Sequence, residues 1–524
     1  MVPSFRAITL RCVCPRGGLV LLVAVIVLAG PAAAARGTSA RAPSAAVASA
    51  HATSDYDYGL ALGSQAYEYG VPLLDTERIF RTGTSVTVSN DRGYGPVNRF
   101  NHVRKLVDAS QRTVNAPNND TPYSMAFLDL SKHPMVLHAP AIKHRFWEFE
   151  LLDPWTNNFF NITSAGPGLG KGDFNVTGGG SWAVVPPGFK GKLPRGVTRV
   201  KSPYTRVWVI GRTFVRGPAD LVNVHHIQDK YTITPLSRFG TKYKPPAPRK
   251  IVTRVTEATI PGTQPGQDPL NFFRALDKEM AKFPPPAADK PLLERLKRIG
   301  IGAGLSPDTA GLSADTLRGM RDAVTQGPAK VQAAALALYF KNFTKYNGYL
   351  IGDLGGWGTN YLLRAIGDKL GVGGQHANIA AYPAALTDYT KAPLDGSKRY
   401  VLHIPKHNLP IPVHGFWSLT MYDSSSYFVP NRINRYLLNS LSRLHKNADG
   451  SIDIYVQRTQ PSTANQAANW LPAPPAGAGF RLIWRLYDLR AALKGLLNGS
   501  GWLPPKVEPC DATGHASDGT ACAS

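Results

Sequence analysis

Apolar positions change their period along the chain, and each change predicts a different kind of element. Between 58 and 82, Leu62 and Ala66 stand four residues apart and Leu60 and Tyr67 seven, the spacing of a helix. A second helix is predicted over 99–112. From Asn115 onward the period becomes two. In 145–151, Trp147, Phe149 and Leu151 share one face of a strand, and Phe146, Glu148 and Glu150 the other. Residues 206–210 form another strand, and Gly-rich turns at 166–172 and 178–180 punctuate the stretch. Short strands separated by such turns predict a sandwich or jelly roll.

A Pro-rich connection at 244–248 ends this region, and 268–370 reads as helical. Asp268 precedes Pro269 as an N-cap, Phe273, Leu276 and Met280 follow at helical spacing, and three prolines at 284–286 stop the helix. Leu292, Leu293, Leu296 and Ile299 mark a short helix that ends at Gly300. A third helix covers 328–346, apolar enough over 333–340 to be buried. Beyond 371 the two-residue period returns in 400–404, 416–422, 452–456 and 480–486, with Asp449-Gly450 as a hairpin turn before Ile452. The predicted fold is mainly β with a helical insert: two β-sandwich (jelly-roll-like) domains joined by an α-helical region. The expected divisions are a signal peptide at 1–35, a flexible leader at 36–57, helices plus the first sandwich at 58–265, the helical region at 266–370, the second sandwich at 371–508 and a tail at 509–524.

The first 35 residues follow an export pattern. Arg6, Arg11 and Arg16 precede an apolar run at 19–29, which gives way to small residues and predicts cleavage near Ala34 or Ala35. Nothing later is apolar enough to predict a membrane span, so the expected location is secreted, periplasmic or cell-envelope. Cys510 and Cys522 are the cysteines left after cleavage, an even pair that predicts a disulfide in an exported chain. The formal net charge is +24, to which the signal contributes three arginines. Such a surface attracts anionic envelope components. The basic residues are dispersed, without a nucleic-acid-binding signature, and nucleic acid is not an expected partner. Of the 524 residues, 43% are apolar and 18% charged, which excludes a disordered chain or coiled coil.

Two runs of residues carry a resemblance. The first is Asn119-Asp120-Thr121-Pro122-Tyr123, followed by Leu128-Asp129-Leu130, Arg145-Phe146-Trp147, Leu152-Asp153 and Asn157-Asn158-Phe159. The second is Gly358-Thr359-Asn360-Tyr361 with Arg364-Ala365, then 416–423, Asn431, Asn434-Arg435-Tyr436, Asn469-Trp470-Leu471-Pro472 and Arg485-Leu486-Tyr487. Over about 58–507 the chain resembles exported proteins that pair domain of unknown function 1254 with domain of unknown function 1214. The resemblance implies two sandwiches with helices between them and an envelope or secreted location; it implies no settled activity.

Candidate chemistry falls into two groups. Asp120, Tyr123, Arg145 and Asp153 are the catalytic candidates, with Asp120 as a general base and Asp153 opposite Arg145 as an ion pair. The ligand-binding candidates are Asn119, Thr121, Asn157, Trp417, Tyr422, Asn431, Arg435 and Tyr436. Here an aromatic wall of Trp417 and Tyr422 stands beside polar anchors, and a buried Arg435 guanidinium calls for a carboxylate or phosphate. An Asx-turn and an aromatic core are the competing structural readings. His225, His226, His403, His407 and His414 lack metal-ligand spacing, so no metal or cofactor is expected. The expected function is binding of a small molecule, glycan or lipid headgroup in a cleft between the sandwiches. The alternative is a carboxylate-based hydrolase or lyase, and self-association through the sandwiches stays open.

Overall fold

The computed structural model describes residues 43–112, 116–164, 174–175, 179–247, 258–489 and 494–523. The signal at 1–35 and the turns at 166–172 fall outside them, as does Gly178 of the turn at 178–180. A helix, Pro43–Gly83, opens the described chain and begins inside the segment expected to be a flexible leader. Alanine recurs there at 45, 46, 48, 50 and 52, and its high helix propensity accounts for the difference.

The first sandwich pairs a six-stranded with a four-stranded sheet. The larger runs in the order Phe100–His102, Tyr123–Asp129, Arg206–Thr213, Trp147–Leu152, Asn158–Thr163 and Phe174–Asn175; the smaller runs Thr232–Pro235, Met135–Ala139, Gly180–Val185 and Val197–Lys201. Their facing sides interdigitate: Leu128, Trp147, Phe149, Leu151 and Val209 meet Leu137, Trp182, Val184, Val200 and Ile233. Phe100–His102 lies where the sequence predicts a helix. Phe100 and Val103 do have helical spacing, but the segment pairs with Tyr123–Asp129 as an edge strand, so a tertiary partner overrides the local pattern.

Every residue of Trp147–Leu152 is buried, the polar ones included. The outer face of the large sheet is covered as well, for Met125, Phe127, Leu152, Trp208 and Ile210 pack against Phe80 of the first helix and Val372. Helices Leu270–Lys282, Lys290–Leu296, Ala314–Lys341 and Tyr361–Gly371 join Pro43–Gly83 around a third core that includes Leu73, Phe272, Leu276, Met320 and Ile366. Ala314–Lys341 starts fourteen residues before the predicted helix, capped by Ser313, whose side chain accepts from the Thr316 amide. It buries one stripe, Val331, Ala335 and Tyr339, while Leu336 and Phe340 stay exposed; apolar composition alone did not determine burial there.

In the second sandwich, Ala380–Ala381, Phe480–Tyr487, Trp417–Asp423 and Leu437–Asn439 form one sheet, with Ala384–Ala385 also on Phe480–Tyr487. The other runs Trp470–Pro472, Ile452–Gln457, Tyr400–Ile404 and Glu508–Pro509. Leu419, Met421, Leu482 and Trp484 pack on Leu402, Ile404, Ile454 and Val456 between them. The turn at Asp449-Gly450 forms, with Gly450 at φ 87, but it carries the chain from one sheet to the other and closes no hairpin. The Cys510–Cys522 disulfide is present, and the tail packs Ala516 and Ala523 on Val401 and Tyr455. Between the sandwiches, Phe214 stacks on Phe416 at 4.1 Å and Phe146 meets Tyr487 at 4.9 Å.

Candidate functional site

Alternation along Trp417–Asp423 sends Trp417, Leu419 and Met421 into their own core and turns Ser418, Thr420 and Tyr422 toward the first sandwich. The register sets Asn439, Ser418 and Arg485 side by side across three strands, in one row on that outer face. Opposite the row lies the run 116–123. Asn439 Nδ2 donates to Asp120 Oδ1 at 3.0 Å, and Tyr422 donates its hydroxyl to the Pro117 carbonyl at 2.6 Å. Arg485 reaches Thr420 Oγ1 at 3.0 Å and the Ala116 carbonyl at 2.8 Å. Asn118 organises the run itself, donating to the Tyr487 hydroxyl, receiving the Asp120 amide and giving its own amide to the Tyr123 hydroxyl.

Burial pushes the Asp120 carboxyl up from its ordinary range, with Asn439, Ser418 and Arg485 opposing the shift. Ser418 Oγ stands near enough to steady the charged form without reaching hydrogen-bond geometry. Here the seam holds buried side-chain oxygens with no hydrogen-bond partner among the described residues: Asn119 Oδ1, Asp120 Oδ2, Thr121 Oγ1 and Ser418 Oγ. Thr121 and Ser418 are fully buried and Asp120 is 2% exposed, whereas Asn119, Tyr123 and Tyr382 keep partly accessible surface.

A second polar group continues the seam. Arg212 Nη1 donates to Glu148 Oε1 and to Glu150 Oε2, both at 2.7 Å, and Nη2 donates to the Gly373 carbonyl. Gln375 Nε2 adds a bond to Glu148 Oε1 at 2.8 Å, and Asn158 Nδ2 donates to Gln375 Oε1 at 2.9 Å. Two buried carboxylates thus share one guanidinium. Burial raises Glu150 to about 7, Arg212 opposes the rise and Glu148 reinforces it; Glu148 is raised for the same first reason. Tyr382 and Tyr487, in edge contact at 6.4 Å, lie within the fields of both Arg212 and Arg485 and so link the two groups.

The remaining candidates lie elsewhere. Arg145 does not pair with Asp153: it forms a two-toothed bond with Asp220 at 2.6 and 2.9 Å, which holds that carboxyl far below its usual range. Asp153 closes an Asx turn, accepting from the Trp155 and Asn157 amides and from Asn157 Nδ2. Trp417 packs on Trp484 at 5.4 Å and forms no wall with Tyr422, because neighbouring strand positions alternate faces. Asn431 closes a turn onto Arg435, and Tyr436 stacks on Phe428 at 4.9 Å. Arg435 is half-buried and needs no carboxylate: Nη1 donates to the carbonyls of Ala467 and Trp470, at and just beyond the end of a short helix.

Comparison with known families places the two halves of this seam in different domains. Residues 97–235 match the pattern described as protein of unknown function DUF1254, and residues 379–491 match DUF1214. The chain carries a DUF1254 domain followed by a DUF1214 domain. No curated protein matches it. Among solved structures, the VPA0106 protein from Vibrio parahaemolyticus aligns over 86% of this chain and 99% of its own at 21% identity, with a TM-score of 0.58, and so shares the fold. An uncharacterized protein from Burkholderia cenocepacia aligns over 84% and 94% at 12% identity, with a TM-score of 0.38.

The seam thus joins Asp120, Tyr123, Glu148, Glu150 and Arg212 of DUF1254 to Ser418, Tyr422, Asn439, Arg485 and Tyr487 of DUF1214. Glu148, Glu150, Arg212, Gln375, Tyr382 and Arg485 were absent from the sequence-derived site. The available signal was two glutamates alternating with the aromatic face of a strand. Their burial depends on 373–382, more than 220 residues away, and nothing local announces it.

Proposed function

We propose that the protein binds a hydroxylated small molecule of the glycan class at the seam between its two sandwiches. One observation carries the reading: a cluster of four buried oxygens around Asp120 with no hydrogen-bond partner among the described residues, Asn119 Oδ1, Asp120 Oδ2, Thr121 Oγ1 and Ser418 Oγ. Buried polar atoms in folded proteins are nearly always satisfied, so such a cluster calls for a donor from outside the chain. An acceptor-rich cluster suits a ligand that presents several hydroxyl protons, and the seam residues Tyr123 and Tyr382 keep partly accessible aromatic surface. Export belongs to the same reading. It is supported by the basic and apolar pattern of 1–35 and by the Cys510–Cys522 disulfide, and the strongly basic balance that remains without the three signal arginines would hold the protein near anionic envelope polymers.

Saturation-transfer NMR against a panel of neutral mono- and disaccharides tests this. At least one sugar should bind, and Asp120→Asn and Ser418→Ala should each weaken it at least tenfold. Absence of any sugar contact, or contact untouched by both substitutions, overturns the reading. A carboxylate-based hydrolase or lyase is the second reading, favoured by Asp120 and Glu150 holding protons more tightly than ordinary carboxyls. Cleavage of the bound sugar, lost in Glu150→Gln while binding survives, selects it.

A further inference from the structure

A second concave site lies where the first sandwich meets the end of helix Leu270–Lys282. It is a cleft of about 500 Å³ whose lining includes Asp153, Pro203, Tyr204, Lys282, Pro284 and Pro286. Most of the wall is proline ring and tyrosine, with a single carboxylate and a single ammonium. We propose that this cleft binds a zwitterion, a free α-amino acid with an aromatic side chain: Asp153 takes the ammonium, Lys282 the carboxylate, and the Pro and Tyr204 rings clasp the side chain.

The hydrogen bonding leaves both charges room for a ligand. Asp153 Oδ1 accepts two backbone amides, but among the described residues Oδ2 accepts only from Asn157 Nδ2 at 2.9 Å, so a lone pair remains. Asp153 is 5% exposed, and burial lifts its carboxyl to about 6 against the Asn157 and Trp155 hydrogen bonds and the field of Arg364. Lys282 spends one N–H on Glu279 Oε1 at 2.7 Å and keeps two, on a side chain that is 44% exposed and can swing to meet a ligand. Tyr204 is pinned across the cleft by donating its hydroxyl to the Pro284 carbonyl at 2.8 Å. A lone amine would meet the field of Lys282, and a lone acid that of Asp153; a molecule bearing both charges avoids each repulsion. The volume lies within the ordinary range for a small-molecule site, roughly 300–1,000 Å³.

The test is calorimetric titration of the whole chain at pH 7.5 with L-phenylalanine, phenethylamine and 3-phenylpropionate, which share a ring and differ in charge. Phenylalanine should bind at least tenfold more tightly than either single-charge compound. Asp153→Asn, whose amide oxygen can still accept the Trp155 and Asn157 amides, should weaken it at least tenfold. Lys282→Met should reduce phenylalanine to the affinity of phenethylamine. Near-ultraviolet circular dichroism checks that both variants keep the native packing. No binding of phenylalanine, equal binding of phenethylamine, or an unchanged affinity in folded Lys282→Met overturns the proposal.

Discussion

Glu150 shows what one side chain's surroundings do to its chemistry. It is fully buried on a strand, shares Arg212 with Glu148, and holds its proton up to about 7 against an ordinary 4.5. The folded chain therefore binds this proton more tightly than the unfolded one. Its cost to stability is absent below about 4.5, grows as the pH rises toward 7, and is complete above that. Glu150→Gln removes the titration while keeping an oxygen for Arg212. Relative to the wild type, its stability in urea should improve by roughly 1–3 kcal/mol between pH 4.5 and 7.5. A difference that stays flat across that window would show that Glu150 is ionised throughout.

Helices meet here by close backbone approach. A Cβ built on Gly319 would lie 2.2 Å from the Tyr56 carbonyl oxygen, and one on Gly59 would lie 2.1 Å from the Thr316 oxygen. Backbone atoms cannot turn aside as a side chain can. Gly319→Ala should therefore destabilise the protein by about 1–3 kcal/mol, although alanine raises intrinsic helix propensity by about 1 kcal/mol. Denaturant midpoints of the two proteins check the sign, and a more stable alanine variant would mean that the helices can separate at no cost. Elements were also where the sequence was easiest to read. Trp417–Asp423, Tyr400–Ile404 and Phe480–Tyr487 stand where alternation predicted them, because a strand with one face in a core writes its period into the chain. Within the predicted helix at 99–112, Phe100–His102 is instead an edge strand, because its partner, Tyr123–Asp129, decides the conformation there. The clustering of Asp120 with Tyr422 could be guessed from two polar-aromatic runs, yet the pairing of Arg145 with Asp220 could not, since a bend before one strand and the short helix Pro218–Asp220 set that distance.

At the scale of the whole molecule, the two sandwiches share a layer that neither completes alone. Its apolar part is the stack of Phe146, Phe214, Phe416 and Tyr487, and its polar part runs from Asp120 through Arg485 to Arg212. Units joined by so much buried contact should unfold together. Scanning calorimetry should show one endotherm for the wild type, and Arg485→Leu, which removes the bonds to Thr420 and Ala116, should lower it or split it in two. Two resolved endotherms in the wild type would mean that the seam is too weak to couple the halves.

The strand Tyr400–Ile404 has Ile452–Gln457 on one flank and only the two residues Glu508–Pro509 on the other, and Cys510 follows at once. Proline has no amide proton to offer a neighbour, so this short piece blunts the border of the sheet. The cystine loop that follows rests Ala516 on Val401 and Tyr455, with Ala523 just beyond it, and keeps the piece seated. Reducing that bridge would loosen the guard and bare a row of unpaired backbone groups, which another copy of the chain could extend. Redox conditions would then govern whether the protein stays dispersed or clumps, without any change in the seam at its centre.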